Sequence, residues 1–176
     1  MPKKNLPMHP ENDENQPVTI RTPQIKDGNQ IYHLVKKSRP LEINSVYSYL
    51  LICTHFDHTS AVAEWNDKII GFISAYINPH QENNLFIWQV AVLPTMRGQG
   101  LATQMIENIL HRKETQSIEF IETTVTPTND ASMALFENIA SNLDTNLEKT
   151  SFFTPEIFGN PPHEEELLLQ IGPLNR

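Results

Sequence analysis

The segment LFIWQVAVLPTMRGQGLATQMIENIL, residues 85–110, decides the fold of this chain. Its first part, residues 86–93, is an almost unbroken apolar run of β-branched and aromatic side chains, which predicts a buried strand. Pro94 ends that strand because proline has no N–H to donate to a sheet. After the turn RGQG, apolar residues recur at helical spacing and predict a helix with one apolar stripe: Leu101, Met105, Ile106, Ile109 and Leu110.

A glycine-rich turn thus joins a strand to the start of a helix. At such a start, unpaired backbone N–H groups and the positive end of the helix dipole face outward. Gly98 and Gly100 let the main chain come close to a bulky ligand. The segment therefore predicts a site for a phosphorylated ligand.

Length and composition restrict the class of protein. The 176 residues suffice for one domain, and we expect a flexible tail over residues 1–17 and a single domain over residues 18–176. The formal charge of −8 disfavours nucleic acid as a partner and permits a cationic ligand, although a solvated acidic surface is the commoner explanation. No apolar run has the length of a membrane span, and the single cysteine, Cys53, suits a reducing cytoplasm.

The remaining elements surround the central segment in a mixed order. We expect strands at residues 18–21, 60–65, 68–77, 118–125, 152–153 and 167–171, and a polar connection over residues 141–149. The dipeptide Asn66-Asp67 suits a hairpin turn because both residues tolerate positive φ. Three further helices are predicted from their apolar stripes: Ile31, Leu34 and Val35; Val46, Tyr49, Leu50 and Cys53; Ala134, Leu135, Ile139 and Ala140. This order predicts an α+β fold with helices on a largely antiparallel sheet.

The glycine turn carries a resemblance to a known superfamily. Arg97, Gly100 and Ala102 fit the signature Gln/Arg-x-x-Gly-x-Gly/Ala of the GNAT acetyltransferases, between the expected strand and helix. The resemblance implies the GNAT fold, a mostly antiparallel twisted sheet flanked by helices. It also implies acetyl-CoA as co-substrate and no metal, with CoA held by the turn, the central strand and the start of the next helix: Val90, Ala91, Val92, Arg97, Gly98, Gln99, Gly100, Leu101, Ala102, Asn129 and Ser132.

Four further segments resemble one family within that superfamily. LEINSVYSYLLICTHF at 41–56, FIWQVAV at 86–92, ETTVTPTNDAS at 122–132 and HEEELLLQIGP at 163–173 are similar to the L-2,4-diaminobutyrate acetyltransferases. These enzymes acetylate the γ-amine before ring closure to ectoine. The resemblance implies direct attack in a ternary complex and a homodimer. Two other functions stay open: acetylation of another small amine or amino acid, and a non-catalytic acyl-CoA-binding sensor.

Two residues depart from the expected pattern. Glu42 stands where the family usually has aspartate, which shifts the carboxylate by one methylene. Phe136 stands where many superfamily members place a tyrosine as general acid toward the departing thiolate, and phenylalanine has no proton to give. Coenzyme A then leaves as thiolate, or takes a proton from water or from the attacking ammonium.

Acetyl transfer to an amine needs a neutral amine and a donor for the tetrahedral oxyanion. The backbone N–H of Val90 or Ala91 is the candidate donor. The resemblance implies catalytic roles for Glu42, Tyr47, Trp88 and His163. It implies an acceptor pocket formed by Glu42, Asn44, Tyr47, Trp88, Glu122, Thr124, His163 and Glu166. The group that removes the ammonium proton stays open among Glu42, His163, Glu122 and water.

Several of these residues also have ordinary structural explanations. Glu42 can be a solvated or capping carboxylate, Glu122 can face solvent on its alternating strand, and Trp88 can pack in the core with Phe86 and Val90 on its face. Other residues invite overinterpretation, and their ordinary explanations are these: amphipathic packing for Tyr47, helix capping for Asn129, solvent exposure for Arg97, core packing for Cys53, and surface or capping roles rather than metal binding for His55 and His58.

Overall fold

The computed structural model describes residues 17–39, 41–160 and 163–175. All but the last residue of the predicted N-terminal tail lie outside these ranges. The described chain forms seven strands and five helices. The strands are β1 (Thr19–Arg21), β2 (Ala61–Trp65), β3 (Lys68–Ile77), β4 (Asn84–Val92), β5 (Phe120–Val125), β6 (Leu147–Phe153) and β7 (Glu166–Ile171). The helices are α1 (Gly28–Lys37), α2 (Val46–His55), α3 (Leu101–Leu110), α4 (Asp130–Asn142) and α5 (Pro155–Phe158).

The strands form one sheet in the order β1-β2-β3-β4-β5-β7-β6. Neighbouring strands are antiparallel except for β4 and β5, which run parallel. The β2–β3 hairpin turns through Asn66 and Asp67, whose φ angles are 49° and 59°. The predicted α+β class and the mostly antiparallel sheet are therefore confirmed.

Helices cover both faces of the sheet and form two cores. The predicted stripe of α3 is entirely buried, and α3 and α4 pack on one face against Ile73, Ile87 and Leu169. On the other face, α1 and α2 pack over β2, β3 and β4, where Phe72 and Ala91 are buried. On this face α1 and α2 leave β5 and β7 uncovered, and the uncovered part of the sheet forms part of the candidate active site described below.

The central strand β4 is irregular at two points. Ser74 of β3 pairs with Gln89, but the next residue pairs with Ile87, so Trp88 is the extra residue of a register shift. Such a bulge re-aims side chains and bends the strand. In addition, β4 pairs with β5 only over residues 84–86 and 120–122, after which the two strands separate. The sheet therefore opens between β4 and β5 beyond Phe86.

Some predicted details were wrong. In α2 the buried face is formed by Tyr49, Ile52 and Cys53, and Val46 and Leu50 are only partly buried. In α4 Phe136 is buried and Ala134 is exposed. The predicted connection 141–149 contains the end of α4 and the first three residues of β6. Since β6 is an edge strand exposed along most of its length, it has no apolar alternation by which the sequence could reveal it.

Candidate active site

The glycine turn has the backbone geometry that the sequence predicts. Gly98 and Gly100 have φ angles of 75° and 73°, in the left-handed region that glycine adopts without strain. The first helical bond runs from the N–H of Gln104 to the carbonyl of Gly100, and no side chain caps α3. The N–H groups of the first turn therefore face outward as an anion site.

A cleft of about 580 Å³ opens in front of this turn. We call it the donor cleft. Most of the predicted CoA-binding residues line it: Val90, Val92, Arg97, Gly98, Gly100, Leu101, Ala102, Asn129 and Ser132. Ala91 and Gln99 do not. Ser38, Arg39 and Leu41, which follow α1, also line it and were missed, because a segment just after a helix carries no motif.

Strand parity decides which backbone groups of β4 face the donor cleft. The N–H of Leu93 donates to the carbonyl of Ile70 at 2.8 Å, and hydrogen-bonded pairs alternate along antiparallel strands. With the register of β3 and β4, the main chain of Ala91 therefore points toward β3. The main chains of Val90 and Val92 point toward the gap beside β5. The prediction that the Ala91 main chain serves as a donor is wrong for this reason, and Val90 is the remaining candidate for the oxyanion.

Two side chains at the rim of the donor cleft are already held by the protein. The Nε of Arg97 donates to the carbonyl of Val92 at 3.2 Å. Asn129 caps α4, because its Oδ1 accepts from the N–H of Ser132 at 3.2 Å. The capping role predicted for Asn129 is confirmed. Its position in the cleft wall is compatible with a second role toward a ligand.

A second cavity, of about 830 Å³, lies over β4, β5 and β7 on the uncovered part of the sheet. We call it the acceptor cavity. Its lining is aromatic and polar: Tyr76, Asn78, His80, Gln81, Phe86, Trp88, Glu122, Thr124, Phe152, Phe153, Leu168 and Gln170. None of these described residues is lysine or arginine. The only carboxylate among them is Glu122, so the cavity favours a cationic ligand.

Trp88 presents its indole to the acceptor cavity, and its side chain is 53% exposed. Phe86 lines the same cavity, but Val90 packs against the core under α3 and α4. The predicted common face of Phe86, Trp88 and Val90 is therefore wrong for Val90. The extra residue in β4 reverses the alternation, a change that side-chain periodicity alone does not reveal.

Glu122 is buried, with 5% of its surface exposed. Its Oε1 accepts from Asn84 Nδ2 at 2.7 Å and from Gln170 Nε2 at 2.9 Å, and its Oε2 accepts from Asn78 Nδ2 at 3.5 Å. The alternative that Glu122 faces solvent is wrong. The three amides that hold it were missed, because they come from two other strands and a loop.

The segment of Glu42 and Asn44 is attached to β4 by a buried side chain. Gln89 Nε2 donates to the carbonyl of Glu42 at 2.9 Å, and the Tyr49 hydroxyl donates to Gln89 Oε1 at 3.4 Å. The same hydroxyl accepts from the N–H of Asn44 at 3.3 Å. Gln89 was missed as a site residue because it lies within an otherwise apolar strand.

The structure brings Glu166 close to three other predicted residues. Burial raises the pKa of Glu166 and the charge of Glu42 adds to this effect, whereas a hydrogen bond from Thr124 and the charge of His163 oppose it. His163 Nε2 lies 3.9 Å from Glu166 Oε1, and its ring stacks on Phe158. Glu42, Thr124, His163 and Glu166 therefore form a group beside the acceptor cavity.

The other candidates lie apart from this group. Tyr47 is 68% exposed and lines neither cavity, so its role stays a prediction. Cys53 is buried, and burial raises the pKa of its thiol to about 11, which confirms it as a core residue rather than a nucleophile. Phe136 is 2% exposed in the core. In the described ranges no cluster of three metal-ligating side chains occurs, and no helix is long and apolar enough to cross a membrane.

The two cavities approach each other at the bulge of β4. Trp88 belongs to the wall of the acceptor cavity, and Val90, two residues further along the strand, belongs to the wall of the donor cleft. A ligand in each cavity would thus meet beside the outward-facing main chain of Val90.

Comparison with known proteins identifies the family. Residues 28–140 match the model of the Acetyltransferase (GNAT) family. L-2,4-diaminobutyric acid acetyltransferases of Methylotuvimicrobium alcaliphilum and Marinococcus halophilus are 43% and 37% identical over 156 and 159 residues. These alignments cover 89% and 90% of this chain and 91% and 92% of the relatives.

A solved structure agrees with this result. The diaminobutyrate acetyltransferase EctA from Paenibacillus lautus, in complex with L-2,4-diaminobutyric acid and coenzyme A, superposes with a TM-score of 0.88 at 36% identity. The superposition covers 92% of this chain and 98% of that one. The chain therefore belongs to the GNAT acetyltransferase family and, within it, to the L-2,4-diaminobutyric acid acetyltransferases.

Proposed function

We propose that this protein transfers the acetyl group of acetyl-CoA to the γ-amine of L-2,4-diaminobutyrate. The product is N4-acetyl-L-2,4-diaminobutyrate, the compound that closes to ectoine. The observation that carries this proposal is the meeting of two unlike cavities at one irregular strand: an anion-binding cleft reaches Val90, and an acid-containing cavity reaches Trp88. Such a geometry suits direct attack in a ternary complex.

The donor cleft supplies binding and oxyanion stabilisation. Unpaired N–H groups at the start of α3 hold the pyrophosphate of CoA, and the outward main chain of Val90 and Val92 holds the pantetheine arm. The Val90 N–H then donates to the oxyanion that forms on the thioester carbonyl. A single preorganised donor of this kind is worth about 3 kcal/mol of transition-state stabilisation.

The acceptor cavity binds the amine, and a carboxylate beside the cavity removes the proton of the amine. The indole face of Trp88 attracts an ammonium group by about 1 to 2 kcal/mol. Of the carboxylates that the resemblance implies, Glu166 lies beside Thr124 of the cavity wall and 3.9 Å from His163, and burial raises its pKa, which favours proton uptake compared with an ordinary glutamate. We assign it the role of general base, with His163 and Thr124 as its partners. Phe136 gives no proton, so the thiolate is protonated by water or by the attacking ammonium.

The decisive experiment measures release of free CoA thiol with purified protein, acetyl-CoA and one amine at a time. We expect rapid turnover with diaminobutyrate and at least tenfold lower kcat/KM with ornithine and lysine, whose longer chains misplace the amine. Equal rates for the three diamines would replace the assigned substrate by a broader amine specificity. Binding of acetyl-CoA without any amine-dependent release of CoA would instead support a sensor.

We also propose that residues 18–176 form one domain and that the protein is a cytoplasmic homodimer. The edge strand β6 and the exposed aromatic rings of Phe152, Phe153 and Phe158 support a self-association surface. The buried free thiol of Cys53 suits a reducing compartment. Light scattering of the full chain tests the dimer, and a mass of 20.2 kDa would contradict it.

A further inference from the structure

The acceptor cavity contains a buried carboxylate without a cation. Glu122 makes no ion pair with any lysine, arginine or histidine in the described part of the chain. Its three hydrogen-bond partners are the neutral amides of Asn78, Asn84 and Gln170. A buried carboxylate normally has a charged partner, so this one is prepared for a cation that arrives from solution.

The amides aim Glu122 while leaving one oxygen available. Two short bonds go to Oε1, and Asn84 is itself fixed because its amide also donates to Gln81 Oε1 at 2.8 Å. Oε2 has only the 3.5 Å contact with Asn78. A carboxylate oxygen accepts two hydrogen bonds, so Oε2 retains capacity for an ammonium N–H in the cavity.

The position of Glu122 in the sheet separates it from the reacting thioester. Glu122 lies opposite Phe86, where β4 and β5 are still paired, and Val90 is four residues further along β4. At about 3.3 Å per residue this is roughly 13 Å, or slightly less across the bulge. A glutamate side chain with one hydrogen bond of about 3 Å covers only about half of that distance. An amine held by Glu122 therefore lies on the side of the acceptor cavity remote from Val90, and the other amine of a diamino acid is the nearer one to the thioester.

We propose that Glu122, aimed by Asn84 and Gln170, binds the α-ammonium of the acceptor, the amine that is not acetylated. This inference rests on the proposed function and extends it. Glu122 then determines specificity for a diamino acid over a monoamine of the same length, and the group around Glu166 serves the γ-amine. Asn84 and Gln170 are positioning residues, since they act through Glu122.

The test compares two acceptors with Glu122→Gln. Calorimetry with CoA present measures the affinity for diaminobutyrate and for 4-amino-2-hydroxybutyrate, in which a hydroxyl replaces the α-amine. We expect the wild type to prefer diaminobutyrate by about tenfold or more, the value of one charge-assisted bond, and the variant to prefer it less than about threefold. Glu107→Gln is the matched control, because Glu107 is exposed on α3, which packs on the other face of the sheet, and it lines neither cavity. It should keep the wild-type preference.

Gln170→Met provides a second, milder test if Glu122→Gln does not fold. It removes one donor to Oε1 and should reduce the preference about twofold to fivefold, with the KM for acetyl-CoA unchanged. An unchanged preference in folded Glu122→Gln, or in folded Gln170→Met, would overturn the inference. So would a wild type that binds both acceptors equally well while acetylating diaminobutyrate. Failure of the proposed function is distinct, because the wild type would then release no CoA with diaminobutyrate.

Discussion

The donor cleft and the acceptor cavity recognise their ligands by different means. The donor cleft presents main chain: the turn at Gly98 and Gly100, the first turn of α3 and the outward groups of Val90. The acceptor cavity presents side chains, such as Trp88 and Glu122, held on separate strands. Binding by main-chain groups depends on the path of the backbone. Few substitutions change that path, and those that do should abolish ligand binding. Recognition by side chains is divided among several contacts, so each substitution there should cost less.

Gly100→Val is expected to have the largest effect. Gly100 has a φ of 73°, which a β-branched residue adopts only with strain, and the new side chain would project beside the anion site. We expect at least a hundredfold loss of CoA affinity by calorimetry. Gly159→Val is a suitable control, since Gly159 also has positive φ, 70°, but lies outside the donor cleft. Near wild-type CoA affinity in Gly100→Val would show that the turn does not bind the pyrophosphate.

Trp88→Ala should affect only the acceptor cavity. Loss of the indole removes a cation–π contact of about 1 to 2 kcal/mol, so kcat/KM for diaminobutyrate should fall about fivefold to thirtyfold. The dissociation constant of acetyl-CoA should not change. Trp88→Phe should recover part of the loss because it keeps an aromatic face. An unchanged acceptor KM in Trp88→Ala would show that the exposed indole has no part in binding the acceptor.

Gln89→Leu tests the link between the donor cleft and the acceptor cavity. Gln89 belongs to β4, the strand that lines the donor cleft, but the hydrogen bonds of its side chain hold the carbonyl of Glu42 and the hydroxyl of Tyr49. Removing this side chain takes the acceptor from the buried Tyr49 hydroxyl and the donor from the carbonyl of Glu42 at a cost of about 1 to 3 kcal/mol, which should raise the KM for diaminobutyrate about fivefold and lower the melting temperature. Gln116→Leu, at an exposed residue that lines neither cavity, should do neither. A rise in the KM for acetyl-CoA alone would show that Gln89 supports the donor cleft only.

The same contrast explains what the sequence could predict. The strand, the glycine turn and the start of α3 in the donor cleft lie within one continuous segment, so an apolar run, a glycine turn and a helical stripe were enough to locate the cleft. The residues of the acceptor cavity come from distant segments, and only the family resemblance brought Glu122 and Glu166 together with Trp88. Periodicity gave the wrong face for Val90 because one extra residue in β4 reverses the alternation.

Local sequence also failed where a polar residue serves another residue. Asn84 and Gln170 are polar residues of the kind that commonly occurs near strand ends. Their role appears only when the register places them beside Glu122. Ala91 and Val90 are equally apolar, and hydrogen-bond parity alone separates them. These features depend on pairing between strands that are far apart in sequence, which no local pattern encodes.

Glu166→Gln is expected to have the smallest effect on ligand affinity, and its signature is the pH profile of kcat/KM. Burial raises the pKa of Glu166, so the base required for attack is lost on acidification at a higher pH than for an ordinary glutamate. In the wild type kcat/KM should therefore fall as pH drops through this raised pKa, and in Glu166→Gln that acid limb should disappear, with a loss of about a hundredfold in kcat/KM above it.

The same shift predicts a change in stability, because a raised carboxyl pKa means that the folded state binds the proton more tightly than the unfolded state. The contribution of Glu166 is then most favourable below its unfolded pKa and is lost as pH rises through the folded value. Glu166→Gln should accordingly unfold at a higher temperature than the wild type above that pH, measured by thermal melts across the range. Glu148→Gln, at an exposed carboxylate, should leave both profiles unchanged. An unaltered acid limb in Glu166→Gln would assign the base to Glu42, His163 or water instead.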